Sequence, residues 1–279
     1  MDKKAAFAFI EAIAADLSGG NVVFPTSFDT TVRLRELLRS ERSSMADLAA
    51  IVMLDPLLAS KILQAANSVA LNANGGKILD VRTAVIRLGV GHVRSMAIAV
   101  AVQQLMTYKE MRRYQKLCDG FMRHSRHVAA LAFVLAREHT KLPPDTAMFA
   151  GLVHDVGLFY LLYRIAGQDG LRLSDPEVNE ILADWHGSIG HAVLSALGVP
   201  EEIQNAVDGH DEMRSVESIR DLRTLLFVAN RISQMDRTRR SSLDGADGEP
   251  GAAEIRDFAT YVQTVETAAA EISAIMNVL

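Results

Sequence analysis

Helical spacing of apolar residues is the feature that most constrains the fold of this chain. The opening segment sets the pattern, because Ala5, Phe9, Ile13 and Leu17 recur every four residues, as on one face of an amphipathic helix. Runs that alternate apolar and polar residues, which are typical of strands, are nearly absent. With 49% hydrophobic and 23% charged residues among 279, the chain can bury a core without cross-links. The sequence therefore predicts an all-α protein.

Residues that start and stop helices divide the chain into segments. Ser44 and the Asp55-Pro56 pair are typical of helix N-termini, and Gly89 is typical of a helix C-terminus. A long helix is expected from about Phe121 until Pro143-Pro144 stop it. We predict an N-terminal helix over 1–21, two packed helical subdomains over 22–118 and 119–234, a flexible linker or loop over 235–253, and a C-terminal amphipathic helix over 254–279.

Charge and cysteine content exclude several classes of protein. The 29 basic residues face 34 acidic ones, so a net charge of −5 makes nucleic-acid binding a weak hypothesis. Cys118 is the only cysteine, which excludes intrachain disulfides and Cys-based zinc clusters and suits the reducing cytoplasm. The longest unbroken apolar runs, such as Val128 to Ala136, are about half of the roughly 20 residues that a bilayer crossing needs. We therefore expect a cytoplasmic protein with no membrane segment.

Two surface features each leave two interpretations open. The stretch from Tyr108 to Arg126 is basic and predicts either a solvated helix face or a docking surface for an acidic partner or a phosphate. The C-terminal segment carries an apolar stripe in heptad spacing, which must be covered either by its own domain or by a second copy in a homodimer. The stripe consists of Phe258, Val262, Val265, Ala269, Ile272, Met276 and Leu279.

The adjacent pair His154-Asp155 is the sharpest chemical feature. It lies in FAGLVHDVGLFYLL, which predicts an apolar helix, where an unpaired imidazole or carboxylate would cost several kcal/mol to bury. A neutral imidazole and a carboxylate together suit Zn, Mn or Fe, and Gly157 leaves room beside them. A hydrogen-bonded buried dyad is the alternative interpretation.

The spacing of other histidines favours a shared site. His124 lies on the preceding helix in MRHSRHVAALA, while His186 and His210 follow in WHGSIGHAVL and VDGHDE. In this order the chain resembles the HD superfamily of metal-dependent phosphohydrolases, in which a His on one helix precedes a His-Asp pair on the next and further ligands follow.

The first half of the chain narrows the resemblance. LDPLLASKILQAANS and AVIRLGVGHVRSMAIAV, followed by HS, GLVHDVG, H-x-x-I-G and a Val-Pro before a late His, resemble the HDOD family, the HD-related output domain of bacterial signalling proteins. The resemblance covers about Val22 to Gln234 in collinear order. It implies two packed helical subdomains, the second a degenerate HD-type bundle, in a family that is regulatory and usually not catalytic.

Catalytic relatives, notably the HD-GYP cyclic-dinucleotide phosphodiesterases, imply a ligand set and three departures from it. The relatives' second His of a His-His pair is Asp211 here, their late Asp is Asn230, and the Lys of their HD-x-G-K motif is Leu158. That Lys would supply positive charge beside a phosphate, which an aliphatic side chain cannot do. One or two divalent ions (Fe, Mn, Zn or Ni) are implied, with these matching metal positions: His124, His154, Asp155, His186 and His210.

Two functional hypotheses follow. The first is a non-catalytic signalling protein that binds a protein partner or a nucleotide ligand and retains a structural metal site. The alternative is a metal-dependent phosphohydrolase or cyclic-dinucleotide phosphodiesterase. Leu158 and Asn230 are the residues that discriminate between them.

Overall fold

The protein is built of helices, as the sequence predicts. A computed structural model describes residues 3–19, 44–67, 76–105, 109–168, 173–212, 216–242 and 258–278, and no strand is found in these ranges. The helices are α1 (Lys3–Ser18), α2 (Met45–Val52), α3 (Pro56–Ala66), α4 (Val81–Leu105), a 3₁₀ helix (Lys109–Tyr114), α5 (Gln115–His139), α6 (Pro144–Val153), α7 (Val156–Ala166), α8 (Asp175–Ala196), α9 (Glu201–Asp208), α10 (Leu222–Ser242), α11 (Phe258–Thr267) and α12 (Ala269–Val278).

Local capping explains the boundaries of the first helices. The Ser44 hydroxyl accepts the N–H of Asp47 at 3.2 Å, and the Asp47 carboxylate accepts the N–H of Ser44 at 3.0 Å, so α2 begins at a capping box. The Asp55 carboxylate accepts two backbone N–H groups at the start of α3. Gly89 has φ +75°, a left-handed conformation that strains residues with a side chain. It ends the first helical segment of α4, and a second segment continues beyond the kink. The predicted helix signals are confirmed at all three places.

Buried apolar residues form two clusters. The smaller one joins α2, α3 and the first part of α4. The larger one joins α5 to α10 with α1, whose Asp16 pairs with Arg164 at 2.8 Å. Ile98 and Ala101 of α4 also belong to the larger cluster, so the core is not divided at one sequence position and the predicted domain boundaries stay predictions.

The helix predicted through His154 and Asp155 is interrupted at these two residues. α6 ends at Val153 and α7 begins at Val156, with Asp155 at φ −99° and ψ 16°. The Gly151 carbonyl, the i−4 acceptor for Asp155 in a continuous helix, accepts a hydrogen bond from His154 Nδ1 at 2.7 Å. A side chain that bonds the backbone in this way competes with the helical ladder. The expectation of one continuous helix was wrong at the residues that carry the chemistry.

Two other helix boundaries differ from the prediction. α5 begins at Gln115, within the basic stretch, rather than near Phe121. α10 continues to Ser242, so the first part of the predicted linker is helical. Polar side chains alone do not end a helix, and neither Gly nor Pro occurs in this stretch before Gly245. The rest of the predicted linker, 243–253, lies outside the described residues.

The C-terminal segment packs on its own fold. α11 and α12 both contact α5, and their buried residues are Tyr261, Val265 and Ile272. Val265 and Ile272, two members of the predicted stripe, are buried, whereas Ala269, a third member, is exposed beside the turn at Ala268 that separates the two helices. The structure shows the own-domain alternative for these residues, and homodimerisation through this segment stays a prediction.

Two segments are long and apolar enough to cross a bilayer by length and composition, Val81–Ala101 and Pro144–Ala166. The expectation of no such segment rested on unbroken apolar runs and missed both, because polar residues interrupt them. Of the second segment's most apolar window, 78% is buried within the fold, where its side chains pack against other helices.

Candidate metal centre

The structure brings all five predicted ligands to one place in the larger cluster. His124 comes from α5, His154 and Asp155 from the break between α6 and α7, His186 from α8, and His210 from the turn after α9. Neighbouring rings lie edge to face, with centroids 5.1 Å apart for His124 and His154, 4.8 Å for His154 and His210, and 5.2 Å for His186 and His210.

A glycine allows two of the elements to meet. A Cβ on Gly157 would lie 1.9 Å from the carbonyl oxygen of His186 and 2.7 Å from the backbone N of Gly190. Only a residue without a side chain lets α7 approach the backbone of α8 this closely. Gly157 therefore makes room for the His186 backbone beside the helix that follows Asp155.

Three of the histidines are held in one tautomer by the backbone. Nδ1 of His154, His186 and His210 donates to a carbonyl on its own helix or turn, at 2.7, 2.8 and 2.6 Å respectively. A carbonyl can only accept, so each Nδ1 carries the proton. In the neutral ring, Nε2 then presents a lone pair, which is the orientation that metal-binding histidines require.

These Nε2 atoms face carboxylates. His154 Nε2 lies 3.2 Å from Asp155, His210 Nε2 lies 3.5 Å from Asp155 and 3.4 Å from Asp211, and His186 Nε2 lies 3.0 Å from Asp211. His154 and His210 are buried, and their Nε2 atoms have no hydrogen-bond partner among the described residues. Lone pairs that face carboxylate oxygens need a cation between them, which a proton or a metal ion can supply.

The shifted pKa values of His210, Asp155 and His186 also indicate that the site favours positive charge. Burial opposes the charged form of His210, but the nearby Asp155 carboxylate outweighs it and raises the His210 pKa to about 9. Burial would likewise raise the pKa of Asp155, yet His154 and His210 hold it well below its usual range. The pKa of His186 is raised because the nearby carboxylates, Asp211 first, outweigh burial.

His124 is bound differently from the other three histidines. Its Nε2 lies 2.9 Å from Asn230 Oδ1, and its Nδ1 lies 3.0 Å from the Ser233 hydroxyl. Asn230 Nδ2 donates to Asp211 at 2.6 Å, which fixes the amide orientation and turns its oxygen to His124. His124 must then donate from Nε2 and has no lone pair there to offer. Burial and the neighbouring His154 also lower the His124 pKa to about 4, so the ring is neutral.

The donor set fits a divalent ion on its buried side. Ligand atoms of Asp155, His186 and His210 lie within 4.8 Å of one another, as do those of His124, His154 and Asp155. Imidazole nitrogens with carboxylate oxygens suit Zn, Mn or Fe. The unpartnered Nε2 atoms of His154 and His210 support the fit, whereas the amide bond of His124 opposes a role for that residue in the present arrangement.

A pocket of about 300 Å³ opens on the centre. Its described lining includes no Lys or Arg, and Leu158 forms part of its wall, as the sequence comparison implies. A phosphate entering it would meet the Asp155 and Asp211 carboxylates, two imidazoles, three side-chain amides and apolar side chains. The lining residues are Phe121, His124, Asp155, Leu158, Asn179, Leu182, Ala183, His186, Asp211, Asn230 and Gln234.

Sequence reasoning missed the polar partners of His124. Ser233 bonds both His124 and His127, each at 3.0 Å, and Gln234 Nε2 lies 3.3 Å from Asn230 Oδ1. Residues three and four apart share a helix face, so the spacing of Asn230, Ser233 and Gln234 could have indicated this polar face.

The HDOD domain family model matches residues 24–213, about two-thirds of the chain. The chain belongs to the HDOD domain family. HDOD membership relates it to the HD phosphohydrolases and fits a signalling role. No curated protein matches the chain at a significant level.

Solved structures share the HDOD chain's fold. A Shewanella amazonensis SB2B protein, provisionally named a metal-dependent phosphohydrolase, is 21% identical with a TM-score of 0.64, and the match covers 94% of this chain and 98% of that one. An HDOD domain protein of unknown function from Geobacter sulfurreducens is 19% identical with a TM-score of 0.58, covering 96% and 97%. At these identities the likeness establishes the fold alone.

Proposed function

We propose that this HDOD protein is a non-catalytic signalling module whose His/Asp centre holds one divalent ion as a structural cross-link. The observation that carries the proposal is the pocket beside the centre. Its described lining offers two carboxylates, two imidazoles, three side-chain amides and apolar side chains, but no Lys or Arg to receive a phosphate. Charge stabilisation of the transferring phosphoryl group is a large part of phosphohydrolase catalysis, and Leu158 stands in this wall where catalytic relatives have a Lys.

The buried donors support the structural part of the proposal. Asp155 and His210 come from two separate turns and His186 comes from α8, so an ion shared among these three donors would link these elements. His154 Nε2 faces the same Asp155 carboxylate. A divalent ion bound there would neutralise the carboxylates and could activate a water molecule. The residues of the chain orient the imidazoles, exclude bulk water and hold Asp155 ionised.

The phosphohydrolase hypothesis stays as a second candidate, because the His/Asp cluster itself favours it. A turnover assay separates the two. The full chain, loaded in turn with Mn²⁺, Fe²⁺, Mg²⁺ or Ni²⁺, is incubated with a generic phosphodiester, a phosphomonoester and a cyclic dinucleotide. We expect no hydrolysis above that of the Asp155→Asn variant. Hydrolysis by the wild type that disappears in this variant would establish the enzyme instead.

For the regulatory output we propose binding of a signalling protein partner, with a nucleotide as the second candidate ligand. Large apolar side chains are exposed on or beside the smaller cluster, notably Leu54, Leu79 and Ile86, of which Leu79 is 76% exposed. We propose that these side chains contribute to the contact with the partner, since exposed apolar patches mark protein interaction sites. Thermal shift measurements with a nucleotide panel test the choice, because a saturable shift with a nucleotide would favour the second candidate.

A further inference from the structure

A second and larger cavity lies between the two hydrophobic clusters, away from the metal centre. Its volume is about 1410 Å³, which exceeds the roughly 300–1,000 Å³ of ordinary small-molecule pockets. Helices α3, α4, α5, α6, α9 and α12 all contribute to its wall. Most of that wall is apolar, with side chains that include Ile78, Met96, Val100, Phe133, Phe149 and Ile275.

Two polar side chains in the wall, Asn67 and Ser95, are already engaged within the protein. Asn67 Nδ2 donates to the Leu63 and Ile78 carbonyls, and its Oδ1 accepts the N–H of Ile78 at 2.8 Å. The Ser95 hydroxyl donates to the Gly91 carbonyl at 2.9 Å. An extended peptide must find partners for its own backbone groups, and these side chains offer none. The wall therefore favours an occupant whose buried portion is a hydrocarbon.

Two of the three acidic side chains in the described wall have a basic neighbour. Asp145 pairs with His92 at 3.0 Å, and Glu271 receives a hydrogen bond from Arg137 Nη2 at 3.0 Å. Glu202 is exposed in the first turn of α9. These pairs leave little negative charge to repel an anion from the cavity.

Arg94 is a charged residue of the wall that is partly buried and pairs with no carboxylate among the described residues. It is partly buried, and among the described residues its guanidinium makes one hydrogen bond, to the Gly198 carbonyl at the long distance of 3.5 Å. Burial lowers the pKa of Arg94, and no carboxylate opposes that shift. Arg137 differs, because Glu271 and Glu138 raise its pKa. Lys61 and Lys77 add positive charge to the same wall.

We propose that this cavity binds a small amphipathic anion, with an alkyl chain against the apolar wall and a carboxylate or phosphate head on Arg94. The inference deepens the proposed regulatory function. It rests on that proposal only for the effect that binding would have on signalling. Part of the wall comes from Ala270, Glu271, Ala274 and Ile275 of α12, outside residues 24–213 that match the family model. The C-terminal helix therefore helps to set which ligand this chain selects.

Isothermal titration of the full chain with decanoate, decyl phosphate and neutral decanol, below their micelle concentrations, tests the proposal. We expect one bound anion per chain and at least about 10-fold weaker binding of decanol, because a charge-assisted hydrogen bond contributes about that much or more. Butyrate, which has the head without the long tail, should not bind detectably.

Two variants locate the ligand. Ala274→Trp fills the cavity and should weaken anion binding at least about 10-fold, while Ser273→Trp, exposed on the same helix but outside the wall, should not. Arg94→Gln should weaken binding of the anions by about 10- to 100-fold and leave binding of decanol unchanged. Arg82→Gln is the matched control, since Arg82 is exposed on α4 and does not line the cavity.

The outcomes separate this inference from the proposed function. Absence of anion binding, or equal binding by the wild type, Ala274→Trp and Arg94→Gln, would overturn the cavity assignment whatever the metal centre does. Phosphodiester hydrolysis by a protein that still binds decanoate through Arg94 would overturn the non-catalytic proposal and leave the cavity site standing.

Discussion

The two halves of the metal centre differ in what orients their histidines. In the inner half, His154 and His210 with Asp155, each imidazole is fixed by a backbone carbonyl from its own turn. In the outer half, His124 with Asn230 and Leu158, the imidazole is fixed by side chains from α10, and the neighbouring wall is aliphatic. The inner half presents lone pairs to a cation, while the outer half presents an N–H to an amide.

The difference teaches which part of such a centre a few substitutions can change. Backbone carbonyls persist when side chains are replaced, so the inner histidines keep their tautomer as long as the turns persist. The outer half depends on the chemistry of residue 230, where an amide stands in place of the carboxylate expected from catalytic relatives. Ion binding can therefore outlast the chemistry that acts on phosphate.

The largest expected effect on stability comes from disrupting the close packing of α7 against α8 at Gly157. In Gly157→Ala the new Cβ would overlap the His186 carbonyl and the Gly190 N–H, both of which are backbone groups that cannot rotate away. We expect the free energy of unfolding to fall by about 3 kcal/mol or more. Urea denaturation measures this loss.

A second glycine provides the control. Gly120→Ala, on α5, places its Cβ in open space and should stabilise the protein by about 0.5–1 kcal/mol through helix propensity. Equal stability of the two variants would show that α7 and α8 do not meet as described.

The next effect tests the carboxylate of the inner half. Asp155→Asn keeps the shape of the side chain but removes the charge that His154 and His210 face. With free ion at about 100 times Kd, the bound ion should add about 2.7 kcal/mol to the free energy of unfolding of the wild type, and a chelator should remove this contribution. Asp155→Asn should melt at the same temperature with and without chelator. Differential scanning fluorimetry measures both, and a chelator-sensitive variant would contradict the role of Asp155.

A gain of metal in the outer half would sharpen the comparison. Asn230→Asp removes the amide oxygen that accepts Nε2–H of His124. It also adds a carboxylate beside the donors of His124, His154 and Asp155. We expect bound metal to rise from one towards two ions per chain, measured by elemental analysis after desalting. Asn179→Asp adds the same charge to the pocket without contacting His124 and should leave the stoichiometry at one.

The smallest effect concerns a histidine outside the centre. The hydrogen bond to Asp145 outweighs burial and raises the pKa of His92 above 6.5, so the ion pair stabilises the fold below pH 6.5 and loses this contribution as pH rises through the higher folded-state pKa. We expect His92→Gln to cost at most about 1 kcal/mol at pH 5.5 and nothing measurable at pH 9. A difference that grows with pH would contradict this sign.

Local signals predicted much of this structure. Ser44, Asp55-Pro56 and Gly89 mark boundaries that depend on only a few neighbouring residues, so the sequence places them correctly. The convergence of the five ligand positions followed from family resemblance, because the packing that joins α5, α8 and the turns involves residues far apart in the chain.

The remaining features depend on long-range contacts or local competition. The break at His154 arises because its side chain bonds the Gly151 carbonyl, which helical periodicity does not show. The tautomer of His124 depends on Asn230 and Ser233, more than 100 residues later. The buried face of the C-terminal segment includes Tyr261, which lies four residues before Val265 on the same helix, and its burial depends on packing against α5 rather than on the heptad stripe.

The most direct test of the account is the number of ions that the wild-type centre binds. The chelator-treated full chain is titrated with Mn²⁺ and with Zn²⁺ by calorimetry, and the retained metal is then counted by elemental analysis. The account predicts one ion per chain, bound by the inner half. No bound ion, or two ions in the wild type, would contradict it.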